Sequence, residues 1–253
     1  MSSFYIITRQ PGAENPAIPT WANKTPNPAN LIEGSENSIE RVDIDGVPGA
    51  FQLLNLFSRD ECNRIINITE ELGYLEDAAV SLPRSIRHND SFTWVVDDET
   101  NDIIWQKCQP YTYDNHAYNK GKTAVGLNAR FRFYRYQSGD YFAPHTDGSW
   151  PGSRVVDGHL IDNAYGDRWS QLTILLYLSE DFVGGATQFY VDHNNLGQPA
   201  EDAGTTPTIS VRTPVGGALC FPHGTHPQHC VHSSENIISG TKYIIRSDVL
   251  FEL

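Results

Sequence analysis

His145-Thr-Asp147 is a stretch whose residue types and spacing could do chemistry. It lies in FAPHTDGSW, at the end of a segment that reads as a strand. Strand side chains alternate between faces, so residues i and i+2 point the same way. An imidazole and a carboxylate can therefore converge there on one metal ion. A third ligand from a distant strand would complete a two-histidine, one-carboxylate face, which leaves coordination positions open and suits non-haem Fe(II). The pair alone is a weak signal, because His88-Asn-Asp90 repeats it. No strand pattern flanks that second instance, so it is expected to be a loop feature, from which it, Arg87 and Asn89 could still reach a substrate. Candidate third ligands are His223, His226, His229 and His232, in FPHGTHPQHCVHSS. Taken singly, any of the first three reads more readily as an ordinary core or surface histidine, and His-rich tracts also bind metal adventitiously.

The final strand offers a second chemical feature. Lys242, Ile244, Arg246, Asp248 and Leu250 point one way, and Tyr243, Ile245, Ser247, Val249 and Phe251 the other. The more apolar face is expected to meet helices, leaving Lys242 and Arg246 to line an interior. Two cations there are costly unless an anion compensates them.

The elements that must position these residues follow from the chain's pattern. The chain has 253 residues, 39% hydrophobic and 11% aromatic, enough for a real core in one domain. Residues 1–40 carry five prolines and no apolar period, and are expected to form an extended or flexible N-terminal arm. Residues 41–253 are expected to form a single domain, with helical support over 41–123 and a β core over 124–253. Within the first part, GVPGAFQLLNLF (46–57) suits a strand. Ser58-Arg-Asp-Glu61 has capping-box spacing, and Cys62, Ile65, Ile66, Thr69 and Leu72 follow at helical intervals up to Gly73. A second helix is expected from about Asp98 to Gln109, closed by Pro110.

After Ala124 the period becomes two. Segments near 128–136, 140–146, 171–178, 186–192, 208–213, 217–222 and 241–251 read as strands, separated by turns at Gly139, Gly184-Gly185, Gly204, Gly216-Gly217 and Gly240. Helices followed by a run of strands argue an α+β, mainly β plan, a barrel or sandwich with helices packed on it. The 148–170 insertion is long enough to serve as a lid or substrate loop, with Trp150, Arg154, Asp157 and Tyr165 as its selecting residues.

Charge and cysteine content exclude other classes. A net charge of −13 disfavours nucleic acid and anionic membrane surfaces as partners. No basic-then-apolar leader is visible, and the longest apolar run, Leu172–Leu178, is far short of a membrane span. Cys62, Cys108, Cys220 and Cys230 show no C-x-x-C pattern and are expected to be reduced thiols in a cytoplasmic protein.

Three further stretches match a known family in order: RFRFYRYQSGDYFAPHTDGSW, LTILLYLSEDFVGGATQFY, and TPVGGALCFPHGTHPQHCVHSSENIISGTKYIIRSDVLF. From Asn128 onward the chain resembles the prolyl 4-hydroxylase-like branch of the 2-oxoglutarate- and Fe(II)-dependent oxygenases, and LFSRDECNRIINITEELGY is similar to that family's first helix. The resemblance implies a double-stranded β-helix (jelly-roll) core with supporting N-terminal helices. It implies Fe(II) held by His145, Asp147 and a distal histidine about ten residues before a basic residue, which selects His232 with His229 in reserve. Lys242 matches the residue that grips the far carboxylate of 2-oxoglutarate, with Arg246 ranked close to it because a guanidinium fork suits a carboxylate. Tyr136 matches a pocket tyrosine, Tyr134 is its alternative, and Thr187 is a weaker candidate; both tyrosines could equally be barrel packing.

The activity so implied is hydroxylation of an unactivated C–H bond with O2, releasing succinate and CO2, with ascorbate as a candidate reductant. The carboxylate of Asp147 argues hydroxylation over halogenation, since halogenating relatives lack it. The substrate by family analogy is a prolyl residue of a protein or peptide; a free amino acid or small metabolite is the alternative. Three rival classes remain: a cupin-like metalloenzyme that does not use 2-oxoglutarate, a catalytically silent binding module, and a nucleic-acid demethylase that the acidic charge opposes.

Overall fold

The protein is described from a computed structural model covering residues 3–78, 82–113, 119, 121–192, 194 and 206–253; Gly204 lies outside the described residues. The N-terminal half supplies strands β1 (Phe4–Gln10), β2 (Ile18–Asn23), β3 (Glu40–Asp43) and β4 (Phe51–Leu54), then helix α1 (Arg59–Leu72). Strands β5 (Arg87–His88) and β6 (Asp90–Val95) and helix α2 (Asp98–Cys108) follow. The remaining strands begin with β7 (Ala124–Leu127), β8 (Arg130–Tyr136), β9 (Tyr141–His145), β10 (Arg154–Val156), β11 (His159–Ile161) and β12 (Arg168–Tyr177). They end with β13 (Phe182–Gly184), β14 (Thr187–Tyr190), β15 (Thr208–Val211), β16 (Ala218–Pro222), β17 (Val231–Ser234), β18 (Ile237–Gly240) and β19 (Lys242–Glu252).

Two sheets build the barrel. The larger has the order β1-β2-β6-β8-β19-β12-β16-β4-β3, with β7 also on β19. The smaller has the order β15-β14-β17-β9-β5. This is the jelly-roll plan, mainly strand with two supporting helices. Alternation along β8 and β19 divides the core. Phe131, Phe133, Ile245, Val249 and Phe251 face back toward Ile65, Ile103 and Ile104 of the helices. Tyr134, Tyr136 and Ile244 face into the barrel with Leu175, Tyr177, Phe189, Leu219 and Phe221. The helices begin where their caps dictate. The Ser58 side chain accepts from the Glu61 amide, and the Ser58 amide donates 2.8 Å to the Glu61 carboxylate. Glu61 also meets Lys107 of α2 at 3.4 Å in a buried ion pair that joins the two helices. All four cysteines are free and buried. Among the described residues no helix is long and apolar enough to cross a membrane.

Three regions depart from the sequence reading. Residues 3–40 are not a loose tail: β1 and β2 form a hairpin, and β2 lies parallel to β6, with Trp21 opposite Trp94. Their apolar residues alternate too briefly between prolines to stand out, and partner strands supply the order. The 41–123 region is not purely helical, since it contributes β3–β6 to the sheets. His88-Asn-Asp90 is not a loop, because His88 ends β5, opposite Tyr141, and Asp90 begins β6, opposite Arg135. The 148–170 insertion folds its middle into a β10–β11 hairpin. Its two-residue turn, Asp157-Gly158, has φ of 49° and 75°, the left-handed pair that such turns require.

Candidate functional site

Pairing of β9 with β17 makes His145 and His232 direct cross-strand partners. Asp147 lies two residues beyond His145, where β9 has ended. One ligand atom from each of the three falls within 4.8 Å of the others. The His145 Nδ1 donates to the Ala143 carbonyl at 2.8 Å, and the His232 Nδ1 donates to the Cys230 carbonyl at 3.1 Å. Those bonds assign the proton to Nδ1 in each ring and turn Nε2 toward Asp147, at 3.7 Å for His145 and 3.8 Å for His232. Burial pushes the His145 imidazole down to about 3, helped by His232 beside it, and burial likewise lowers His232. Burial alone would raise Asp147, but Arg246, then His232 and His145, hold it well below the carboxylate range. Neutral imidazoles and an ionised carboxylate are the protonation states a metal requires. The donor set of two imidazole nitrogens and one carboxylate, with backbone carbonyls fixing the rings, fits Fe(II).

A directional chain supports the carboxylate. Thr173 Oγ donates to Asp147 at 2.8 Å and lies 2.6 Å from His223 Nδ1, which must therefore donate to it. His223 Nε2 then accepts from Ser170 Oγ at 2.8 Å, and Ser170 Oγ accepts from the Trp150 amide at 2.8 Å. His223 is thus a buried, satisfied core histidine. Arg246 reaches Asp147 at 3.4 Å and Asp248 at 3.1 Å.

Eight of the residues singled out from sequence line one chamber: Tyr134, Tyr136, His145, Asp147, Thr187, His232, Lys242 and Arg246. His229 bonds the His226 carbonyl through Nδ1 and is not among the clustered donors. Lys242, only 1% exposed, lies deep in the chamber and donates to the Gly185 carbonyl at 2.7 Å and to Ser234 Oγ at 3.0 Å. The rings of Tyr136 and Tyr177 flank its ammonium at 5.1 and 5.6 Å. Thr187 bonds the Tyr177 hydroxyl at 2.8 Å and so fixes that ring. Burial, then the field of Arg212, lowers the Lys242 ammonium to about 7.

Sequence reasoning missed Phe142, Thr173, Ser234 and Arg132. Phe142 stacks on the His145 ring with centroids 3.6 Å apart. Arg132 shares the inward face of β8 with Tyr134 and Tyr136 and pairs across strands with Arg246. The same period-two argument that exposed Lys242 and Arg246 would have found it.

No protein-family model and no curated protein matches the chain. Solved structures do. A prolyl hydroxylase from Trichoplax adhaerens, in complex with a peptide fragment of the hypoxia inducible factor oxygen degradation domain, superposes with a TM-score of 0.51 at 13% identity, covering 79% of this chain and 83% of that one. A viral collagen prolyl hydroxylase from Paramecium bursaria Chlorella virus-1 gives 0.48 at 19% identity, covering 88% of this chain and all of that one. A Pseudomonas putida prolyl-4-hydroxylase gives 0.48 at 13% identity over 79% and 91% of the two chains. The likeness to the Trichoplax structure shows a shared jelly-roll fold.

Proposed function

We propose that the protein is a 2-oxoglutarate-dependent Fe(II) dioxygenase that hydroxylates an unactivated C–H bond. The observation that carries this reading is one chamber lined both by a metal-competent triad and by the buried Lys242. Lys242 faces a carbonyl, a hydroxyl and two rings, with no carboxylate within 4.0 Å among the described residues. A buried ammonium so placed is costly until an anion reaches it. A metalloenzyme that did without 2-oxoglutarate would have no use for that lysine.

His145, Asp147 and His232 would hold the iron. Bound there, Fe(II) would supply the redox chemistry that couples oxidative decarboxylation of 2-oxoglutarate to succinate and CO2 with hydroxylation of the substrate by O2. The chain's own residues bind and orient. Lys242 anchors the far carboxylate, Tyr136 and Tyr177 wall it from water, and Ser234 holds the ammonium in place. Thr173 donates to one oxygen of Asp147 and Arg246 faces the other at 3.4 Å, so the two hold the carboxylate in place for the metal. Arg246 keeps that carboxylate ionised and does not serve as the anchor. Two substrate classes stand within this activity: a prolyl residue of a protein or peptide, by analogy with the peptide-bound Trichoplax hydroxylase, and a free amino acid or small metabolite.

The test is an anaerobic titration of metal-free protein with Fe(II) and 2-oxoglutarate, followed by visible absorption. Chelation of Fe(II) by the keto acid gives a weak charge-transfer band. The band is expected in the native protein and absent in Asp147→Ala and His232→Ala. Bound iron without a band in the native protein would overturn the reading. Its survival in His232→Ala with loss in His229→Ala would move the distal ligand.

A further inference from the structure

The chamber is not the only space beside the triad. A cavity of about 620 Å³ opens where the chain leaves Asp147, walled by Ser149, Trp150 and Ser153 on one side and by Arg130 and Arg132 of β8 on the other. Arg132 is the cross-strand partner of Arg246, whose guanidinium reaches Asp147. The cavity therefore begins one side chain away from the triad.

Arg132 is 8% exposed and lines this cavity. Among the described residues it makes no hydrogen bond and no ion pair; its contact is the Trp150 ring, 5.1 Å from the guanidinium carbon. The neighbouring charges are already engaged. Arg130 bonds Gln10 and lies 3.4 Å from Asp162, while Arg246 takes up Asp147 and Asp248. A metal at the triad would withdraw Asp147 further. Asp248 and Asp147 act on Arg132 only through space, from positions taken up by Arg246, and a cation–π contact recovers only part of the cost of its burial. A guanidinium fork matches a carboxylate bidentately.

The cavity's wall is a strap tied at several points. The Trp150 carbonyl accepts from the Ser170 amide at 2.9 Å, and Pro151 bridges Trp169. Arg154 pairs with Asp98 at the start of α2. A cavity of this size, lined by Trp150 and Trp169 and walled by a strap held at several points, suits a small molecule.

We infer that Arg132 binds a carboxylate of the substrate, and that the substrate is a small organic acid of amino-acid size or somewhat larger. The inference rests on the dioxygenase reading only in taking the triad as the place to which the substrate's C–H bond is brought.

The experiment measures equilibrium binding to anaerobic protein loaded with Fe(II) and 2-oxoglutarate, by tryptophan fluorescence and thermal shift. The probes are the free L-amino acids, N-acetyl-L-proline and N-acetyl-L-leucine, each beside its primary amide, and a ten-residue prolyl peptide with blocked ends. At least one acid is expected to bind about tenfold or more tightly than its amide. That preference should shrink to about threefold or less in Arg132→Gln and survive in part in Arg132→Lys, with the 2-oxoglutarate band unchanged in both. If Arg132→Gln does not fold, the acid-to-amide ratio of the native protein and of Arg132→Lys decides. Equal binding of acids and amides, full preference in Arg132→Gln, the peptide binding more tightly than every acid, or no acid binding below about 1 mM would each overturn the inference. An acid preference without the band would sink the dioxygenase reading and keep the Arg132 site; the band without the preference would do the reverse.

Discussion

Lys242 and Arg246 stand four residues apart on one face of β19, yet their surroundings differ in kind. Lys242 has only neutral partners: a carbonyl, a hydroxyl and two aromatic rings. Arg246 sits between two aspartates. Among the described residues the first cation has no carboxylate within 4.0 Å, and on the proposed reading it is kept for the far carboxylate of 2-oxoglutarate. The second answers anions that the chain itself contains, and its job is to hold the carboxylate of Asp147 ionised and in place. Two basic residues on the same face are thus separable by their neighbours, although residue type alone ranks them together.

Arg246→Met gives the largest expected effect. It leaves Asp147 and Asp248 buried without their cation, at a cost of about 3–5 kcal/mol in chemical denaturation of the metal-free protein. Fe(II) should restore part of the loss by replacing the positive charge beside Asp147. A drop in 2-oxoglutarate affinity with little loss of stability would erase the contrast. Next comes Lys242→Ala, which should weaken 2-oxoglutarate binding about 100-fold, or about 2.7 kcal/mol, while Fe(II) binding measured without the keto acid stays within about threefold.

The pH dependence sharpens the comparison further. With its ammonium lowered to about 7, Lys242 loses its charge as pH rises above neutrality in the free protein. The affinity for 2-oxoglutarate should then fall by up to tenfold per pH unit between about pH 7 and 9, and be flat from this group at lower pH. The unfolded lysine titrates near 10.4, so between about pH 7 and 10.4 the unfolded chain holds more protons, and this group makes the metal-free fold more stable as pH rises. Lys242→Arg stays charged and should abolish the affinity slope; a slope unchanged in that variant would point to another group. The smallest effect belongs to Thr173→Val, which removes one donor to Asp147 and the acceptor of the His223 Nδ1–H. It should cost about 2 kcal/mol of stability and weaken Fe(II) binding several-fold, leaving the affinity of metal-loaded protein for 2-oxoglutarate unchanged by titration.

Much of this was legible from the residues. The α1 cap was readable because Ser58 and Glu61 satisfy each other locally, and β19 because eleven residues rich in β-branched and aromatic side chains run without a turn residue. The strand carrying His232 was not readable as one: VHSS is four residues long and mostly polar, and only its pairing with β9 and β14 makes it a strand. The β1–β2 hairpin and His88 escaped for the same reason, since partners distant in sequence supply their order. Arg132 escaped differently. Its strand was identified, but its lack of a direct partner shows only when Arg130 and Arg246 are seen to be engaged elsewhere.

The N-terminal hairpin has a consequence for anyone who shortens the chain. β2 covers the outer hydrogen-bonding row of β6, and Asn23 accepts the Trp94 indole N–H at 2.8 Å. A version starting at residue 41 would bare an unpaired strand flanked by Phe92 and Trp94. Such an open margin invites another copy to pair with it, so poor solubility or strand exchange in a trimmed form would reflect a lost guard strand and not a damaged metal centre.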